Sequence, residues 1–162
     1  MSRLKIFKGK SRNAEENTDT ENNIPTNLET DNSYHGDDTL LDWFVARLEY
    51  PEVIEANKNL GDITLQFNAG GNLFYMCKSG VQTFKITSGR CSDPDALIRI
   101  PPEVESKLTR TNDFTEFFQE YKKYANLSGG DEYIKINYMR DMSQLSKKGI
   151  LRSKLVRTLL MA

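Results

Sequence analysis

The sequence predicts an α+β domain in which helices cover a five-stranded, mainly antiparallel sheet. Three observations carry that expectation. Between Asp62 and Ile100, four short strand-like runs follow one another, separated by glycine and proline. Helical patterns flank this block on both sides, and a further alternating run, Tyr133 to Tyr138, precedes the last helical stretch. An order of helix, meander, helices, strand and helix is that of one sheet with its helices gathered on one face.

The first helix is expected to begin near Thr39, with Asp37 or Asp38 as its cap, and to run through Leu-Leu-Asp-Trp-Phe-Val-Ala-Arg-Leu-Glu-Tyr. Leu41, Phe44, Val45 and Leu48 recur at i, i+3, i+4 and i+7, with Trp43 and Leu40 beside that stripe. Pro51 suits the first turn of a second helical segment, which Gly61 ends.

In Asp62–Asn68 the apolar Ile63, Leu65 and Phe67 alternate with Asp62, Thr64 and Gln66, the period of a strand with one buried face. Ala69-Gly70-Gly71-Asn72 can supply the positive φ angles of a tight hairpin, so the next run, Leu73 to Gly80, folds back on the first. Gly80 permits another reversal, Val81 to Thr87 forms a third strand, and Ala96 to Ile100 a fourth that stops at Pro101-Pro102. These strands are expected to pair in chain order as a meander.

Pro102 can open a short helix whose Val104 and Leu108 share a face. Asn112-Asp113 then caps a helix carrying Phe114, Phe117, Phe118, Tyr121 and Ala125 at helical spacing. Such an aromatic stripe is the material of a core, and also of an apolar ligand cavity. The Ser128-Gly129-Gly130 break leads to the fifth strand. A last helix is expected from Met142 to Leu160, broken at Gly149, with Met142, Leu145, Leu151, Leu155, Val156, Leu159 and Leu160 in one sector. Lys148 and Arg152 fall inside that sector, where long cations would snorkel.

The chain has 162 residues and a net charge of -1, the size of one domain. Residues 1–36 hold few apolar side chains and are expected to be a disordered polar tail, with the folded domain spanning 38–162. Residues 1–14 carry five bases and no acid, whereas residues 15–38 carry eight acids and no base. No run of ~18 apolar residues is present, and no secretory apolar segment opens the sequence. The two cysteines, Cys77 and Cys91, form no recognisable scaffold or zinc pattern and read as reduced thiols of a cytoplasmic protein.

Reactive chemistry is scarce. The single histidine, His35, lies in the polar tail, which leaves the domain without a Ser-His or Cys-His pair. Metal, dinucleotide and phosphate-loop motifs are missing, and Glu103, Glu105, Asp113, Glu116 and Glu120 read as members of polar helix faces. The expectation is a protein that is not an enzyme, uses no cofactor or metal, and holds something without converting it.

Several phrases resemble the sterol carrier protein type two, or sterol-binding, domain family across residues 38 to 160. They are the amphipathic first helix, the Asp-Ile-Thr-Leu-Gln-Phe-Asn hairpin, Lys85-Ile86-Thr87-Ser88-Gly89, the Ser92 to Ile100 phrase, and Ser-Gly-Gly followed by Tyr133-Ile134-Lys135-Ile136. Where that family has Gly-Asp after the last strand, this chain has Arg140-Asp141. The resemblance implies lipid binding and transport in an apolar tunnel formed by the sheet and its helices. Its lining is assigned to Phe44, Leu48, Phe67, Phe84, Phe114, Phe117, Phe118, Tyr121, Met142, Leu155 and Leu159. Lys147, Lys154 and Arg157 on the last helix are assigned to transient contact with an anionic membrane surface. The expected partners are a lipid or fatty-acyl ligand, with an enzyme or a second copy of the chain as further candidates, and no nucleic acid. The alternative function is an accessory module that docks on a lipid-pathway enzyme and holds no ligand itself.

Overall fold

The computed structural model describes residues 39–162; the expectations for residues 1–36, and the capping role given to Asp37 or Asp38, lie outside the described residues. Helix α1 (Leu40–Arg47) opens at Thr39, whose hydroxyl accepts from the Asp42 amide at 3.2 Å. Its buried face is Leu40, Trp43, Phe44 and Arg47, while Leu41 is half-buried and Val45 is exposed. The apolar stripe is thus turned away from Val45 towards Leu40 and Trp43. The indole sets that rotation: Trp43 is wholly buried and its Nε1 donates to the Thr111 carbonyl at 2.9 Å. A buried indole needs such an acceptor. Pro51 starts α2 (Pro51–Asn57), with Tyr50 extended at the cap.

Five strands follow the predicted alternation: β1 (Ile63–Ala69), β2 (Asn72–Lys78), β3 (Lys85–Ser88), β4 (Ala96–Ile100) and β5 (Lys135–Tyr138). Gly70 and Gly71 both have positive φ, and Ala69 pairs with Asn72, so β1 and β2 are joined by a two-residue hairpin. A side chain at Gly70 would also run into the Glu105 carboxylate. The strand order is β3-β2-β1-β4-β5, with β1 and β4 parallel and the other neighbours antiparallel. The α+β class and the mainly antiparallel sheet stand; the four-strand meander is corrected.

Two polar side chains account for the crossover. The Gln66 amide donates to the Phe74 carbonyl at 2.8 Å and the Gly89 carbonyl at 3.1 Å, and its oxygen accepts from the Cys91 amide at 2.6 Å. The loop leaving β3 is thereby drawn across the sheet. At its far end the Asp95 carboxylate accepts from the Thr64 amide at 2.8 Å and from Lys148 Nζ at 2.6 Å, which delivers β4 to the free edge of β1. The third strand is also shorter than expected. Asp62 accepts from the Gly80 amide at 2.6 Å and holds the turn open, leaving Val81 almost fully exposed.

Beyond the sheet, α3 (Pro102–Leu108) and α4 (Phe114–Ala125) follow the predicted caps, with Val104 and Leu108 wholly buried. The last helix is in three pieces: α5 (Met142–Lys147), a 3-10 turn (Ile150–Arg152) and α6 (Lys154–Met161). Gly149 makes the break, at φ 83, where a Cβ would lie 3.0 Å from the Asn59 carbonyl oxygen. Of the apolar sector counted through this point, Leu145, Leu155, Val156, Leu159 and Leu160 are buried, whereas Met142, the first residue of α5, and Leu151, in the 3-10 turn, are exposed. Lys148 does not snorkel; it pairs with the buried Asp95. Arg140 reaches Asp93 and Asp95, and Asp141 caps α5 in a reciprocal capping box with Gln144. One continuous apolar core runs from Leu40 to Leu160.

Candidate functional site

The apolar residues divide between a filled interior and an open corner. In the interior, Trp43 stacks on Phe117 with ring centroids 4.6 Å apart, and Phe67 stacks on Phe74 at 4.8 Å. Phe44 joins both groups, 5.5 Å from Phe117 and 5.7 Å from Phe67. Tyr121 closes the row, 5.8 Å from Phe117, and its hydroxyl donates to the Leu159 carbonyl at 2.9 Å. Burial holds that phenol well above its ordinary pKa, so it stays a neutral donor.

The corner lies between α2, the start of α4 and the start of α6. Asn57 donates to the Val53 carbonyl at 2.6 Å, and its side-chain oxygen accepts from the Ser153 hydroxyl. Ser153 in turn accepts from the Val156 amide at 3.0 Å, capping α6. This buried chain of hydrogen bonds fixes α6 against α2, while the Tyr121 bond fixes α6 against α4. Between the three elements is a cleft of about 460 Å³. Its apolar lining is made of buried Val53, Phe118 and Leu155, half-buried Phe114 and the small, exposed Ala56. Its remaining lining includes Arg47, Tyr50, Glu52, Asp113, Thr115 and Lys154. The Arg47 guanidinium lies 4.5 Å from the Trp43 ring centroid and donates to the Asn112 and Trp43 carbonyls. Lys154 Nζ sits over the Phe118 ring, 5.3 Å from its centroid.

Of the residues assigned to a tunnel, Phe114, Phe118 and Leu155 line this cleft. Phe44, Phe67, Phe117, Tyr121 and Leu159 are wholly buried among one another and their neighbours. Leu48 and Phe84 border a void of about 30 Å³ beside the β2–β3 loop. Met142 lies in a groove of about 500 Å³ along β5, with Ile136, Tyr138 and Leu160. Lys154 is shared by the cleft and a neighbouring hollow of about 190 Å³, Arg157 lines that hollow, and Lys147 is exposed on α5. The eleven residues therefore do not surround one space. Val53 and Ala56 were missed, although their i, i+3 spacing on α2 put them on one face.

Among the described residues no group of three or more His, Cys, Asp or Glu side chains is placed to hold a metal ion. No described helix is long and apolar enough to cross a membrane. Cys77 and Cys91 are both free and half-buried.

No family model matches the chain, and no curated protein matches it. Among solved structures, one described as "UbiJ-SCP2 Ubiquinone synthesis protein" is 14% identical, with the match covering 67% of this chain and 84% of that one at a TM-score of 0.37. Likeness of that degree carries no conclusion about ligand or activity, which rest on this chain's own residues.

Proposed function

We propose that the chain binds an apolar lipid or fatty-acyl ligand without converting it, and that the ligand's hydrocarbon chain lies in the cleft between α2, α4 and α6. One observation carries this reading. A cleft of about 460 Å³ has an apolar lining of Val53, Ala56, Phe114, Phe118 and Leu155, within the range of ~300 to 1,000 Å³ usual for small-molecule sites. Burying one CH₂ there is worth about 0.8 kcal/mol, so an extended chain of ten carbons is enough for useful affinity. The cleft takes in three of the eleven residues assigned to the tunnel, Phe114, Phe118 and Leu155, and suits the same ligand class. We place the protein in the cytoplasm on the basis of its unpaired thiols.

The groove along β5 favours a second reading, an accessory module that docks on an enzyme. Tyr138, Met139, Met142 and Met161 are all exposed there or close by, beside the outer edge of the sheet. Native mass spectrometry and organic extraction of the purified full chain separate the two readings. A lipid-binding protein retains extractable lipid and takes up dodecanol, and Ala56→Trp, at an exposed position of the cleft lining, abolishes that uptake while leaving the melting temperature unchanged. A parent chain that neither carries lipid nor binds dodecanol rejects the cleft reading.

A further inference from the structure

The hollow beside the cleft shares Phe118 and Lys154 with it, so the two spaces adjoin at that pair. Three cations line the hollow: Lys122 from the end of α4, and Lys154 and Arg157 from the first turn of α6. Thr158, Met161 and Ala162, the last residue, with its carboxylate, complete the lining, and no Asp or Glu side chain is among them. Among the described residues, none of the three cations is paired with a carboxylate, although their neighbour Lys123 is held by Glu120.

The arrangement works against the fold's own electrostatics. Each of α1 to α4 has an acid in its first turn, the favourable sign for the positive end of a helix dipole. Helix α5 has its acid, Asp141, at the cap, and α6 has none at either place and carries Lys154 and Arg157 instead. Like charges gathered at the wrong end of a helix lower stability, and such local conflicts are expected where function needs them. Lys154 adds a second sign. Its ammonium rests over the Phe118 ring, which favours that position and leaves its donors unspent.

We propose, resting on the cleft reading above, that the ligand is a single-chain phosphomonoester amphiphile whose phosphate is received by Lys122, Lys154 and Arg157. A carboxylate offers two oxygens, whereas a phosphomonoester offers three and carries nearly two negative charges at neutral pH, which matches three cations better. The guanidinium can take two phosphate oxygens at once, and the lysines act as point charges.

The test uses the full-length protein and four probes at low salt: dodecyl phosphate, dodecanoate, dodecanol and inorganic phosphate, each below its aggregation concentration. The expected order is dodecyl phosphate first, on the order of tenfold tighter than dodecanol, with dodecanoate between them and inorganic phosphate weakest. In 1 M salt the advantage of the phosphate should shrink. Lys122→Gln/Arg157→Gln should bring dodecyl phosphate down to the level of dodecanol, and Lys154→Glu should reverse the preference. Equal binding of dodecyl phosphate and dodecanol by the parent overturns this inference and leaves the cleft reading standing. Inorganic phosphate binding as tightly as dodecyl phosphate overturns it as well, because the head would then not be recognised as part of an amphiphile. Failure of every alkyl probe rejects both.

Discussion

Phe117 and Phe118 are adjacent in sequence and face two different interiors. Phe117 is wholly buried, stacked on Trp43 and Tyr121 and edged by Phe44 and Phe114. Phe118 is also mostly buried, but its ring forms part of the cleft wall, with a lysine ammonium over it. The helix turn alone separates a position where rings fill the space from one where they border it. Aromatic payload therefore marks α4 as important without saying which of its faces holds a ligand; the facing elements decide that.

Three substitutions sharpen this contrast. Phe117→Ala should cost about 3 to 5 kcal/mol, the value for a fully packed Phe, and should be read from chemical denaturation of the full chain. A loss below ~2 kcal/mol there would mean that the interior is less filled than its ring contacts imply. Asn57→Ala should cost about 1 to 3 kcal/mol, because Ser153 loses its buried acceptor, and should weaken dodecanol binding as α6 loosens from α2. Unchanged stability would remove the hydrogen-bonded strut from the account of the cleft. Phe118→Ala should cost less than Phe117→Ala, since its ring already faces open space on one side, yet it should reduce dodecanol binding the more of the two. If the order of the two stability losses is reversed, the division between filled interior and open corner fails.

The strands were legible because Ile63, Leu65 and Phe67 alternate and glycines punctuate the runs. Which strand pairs with which was not. The β1–β4 pairing depends on Gln66 and Asp95, residues that look like ordinary polar members of a strand and a turn until their partners, Gly89, Cys91, Thr64 and Lys148, are brought to them. Gly149 was legible as a break, but not the exposure of Met142 at the very start of α5. The cleft was half legible. Phe114, Phe118 and Leu155 stand out by type, whereas Val53 and Ala56 become part of it only through Asn57 and Ser153, which are 96 residues apart. Periodicity within a helix cannot report a partner at that separation.

That separation also sets an order of assembly. The β1–β2 hairpin closes through two residues, a contact available as soon as both strands exist. The corner needs Ser153 to return to Asn57, and Leu155 and Val156 to bury themselves, so its closure carries the larger loop entropy of the long intervening chain. During synthesis the sheet can therefore begin to form before the cleft has all of its walls, and capacity for a ligand arrives only with the final helix. A chain stopped before Ser153 would lack Leu155 and the strut to Asn57, and with them its site.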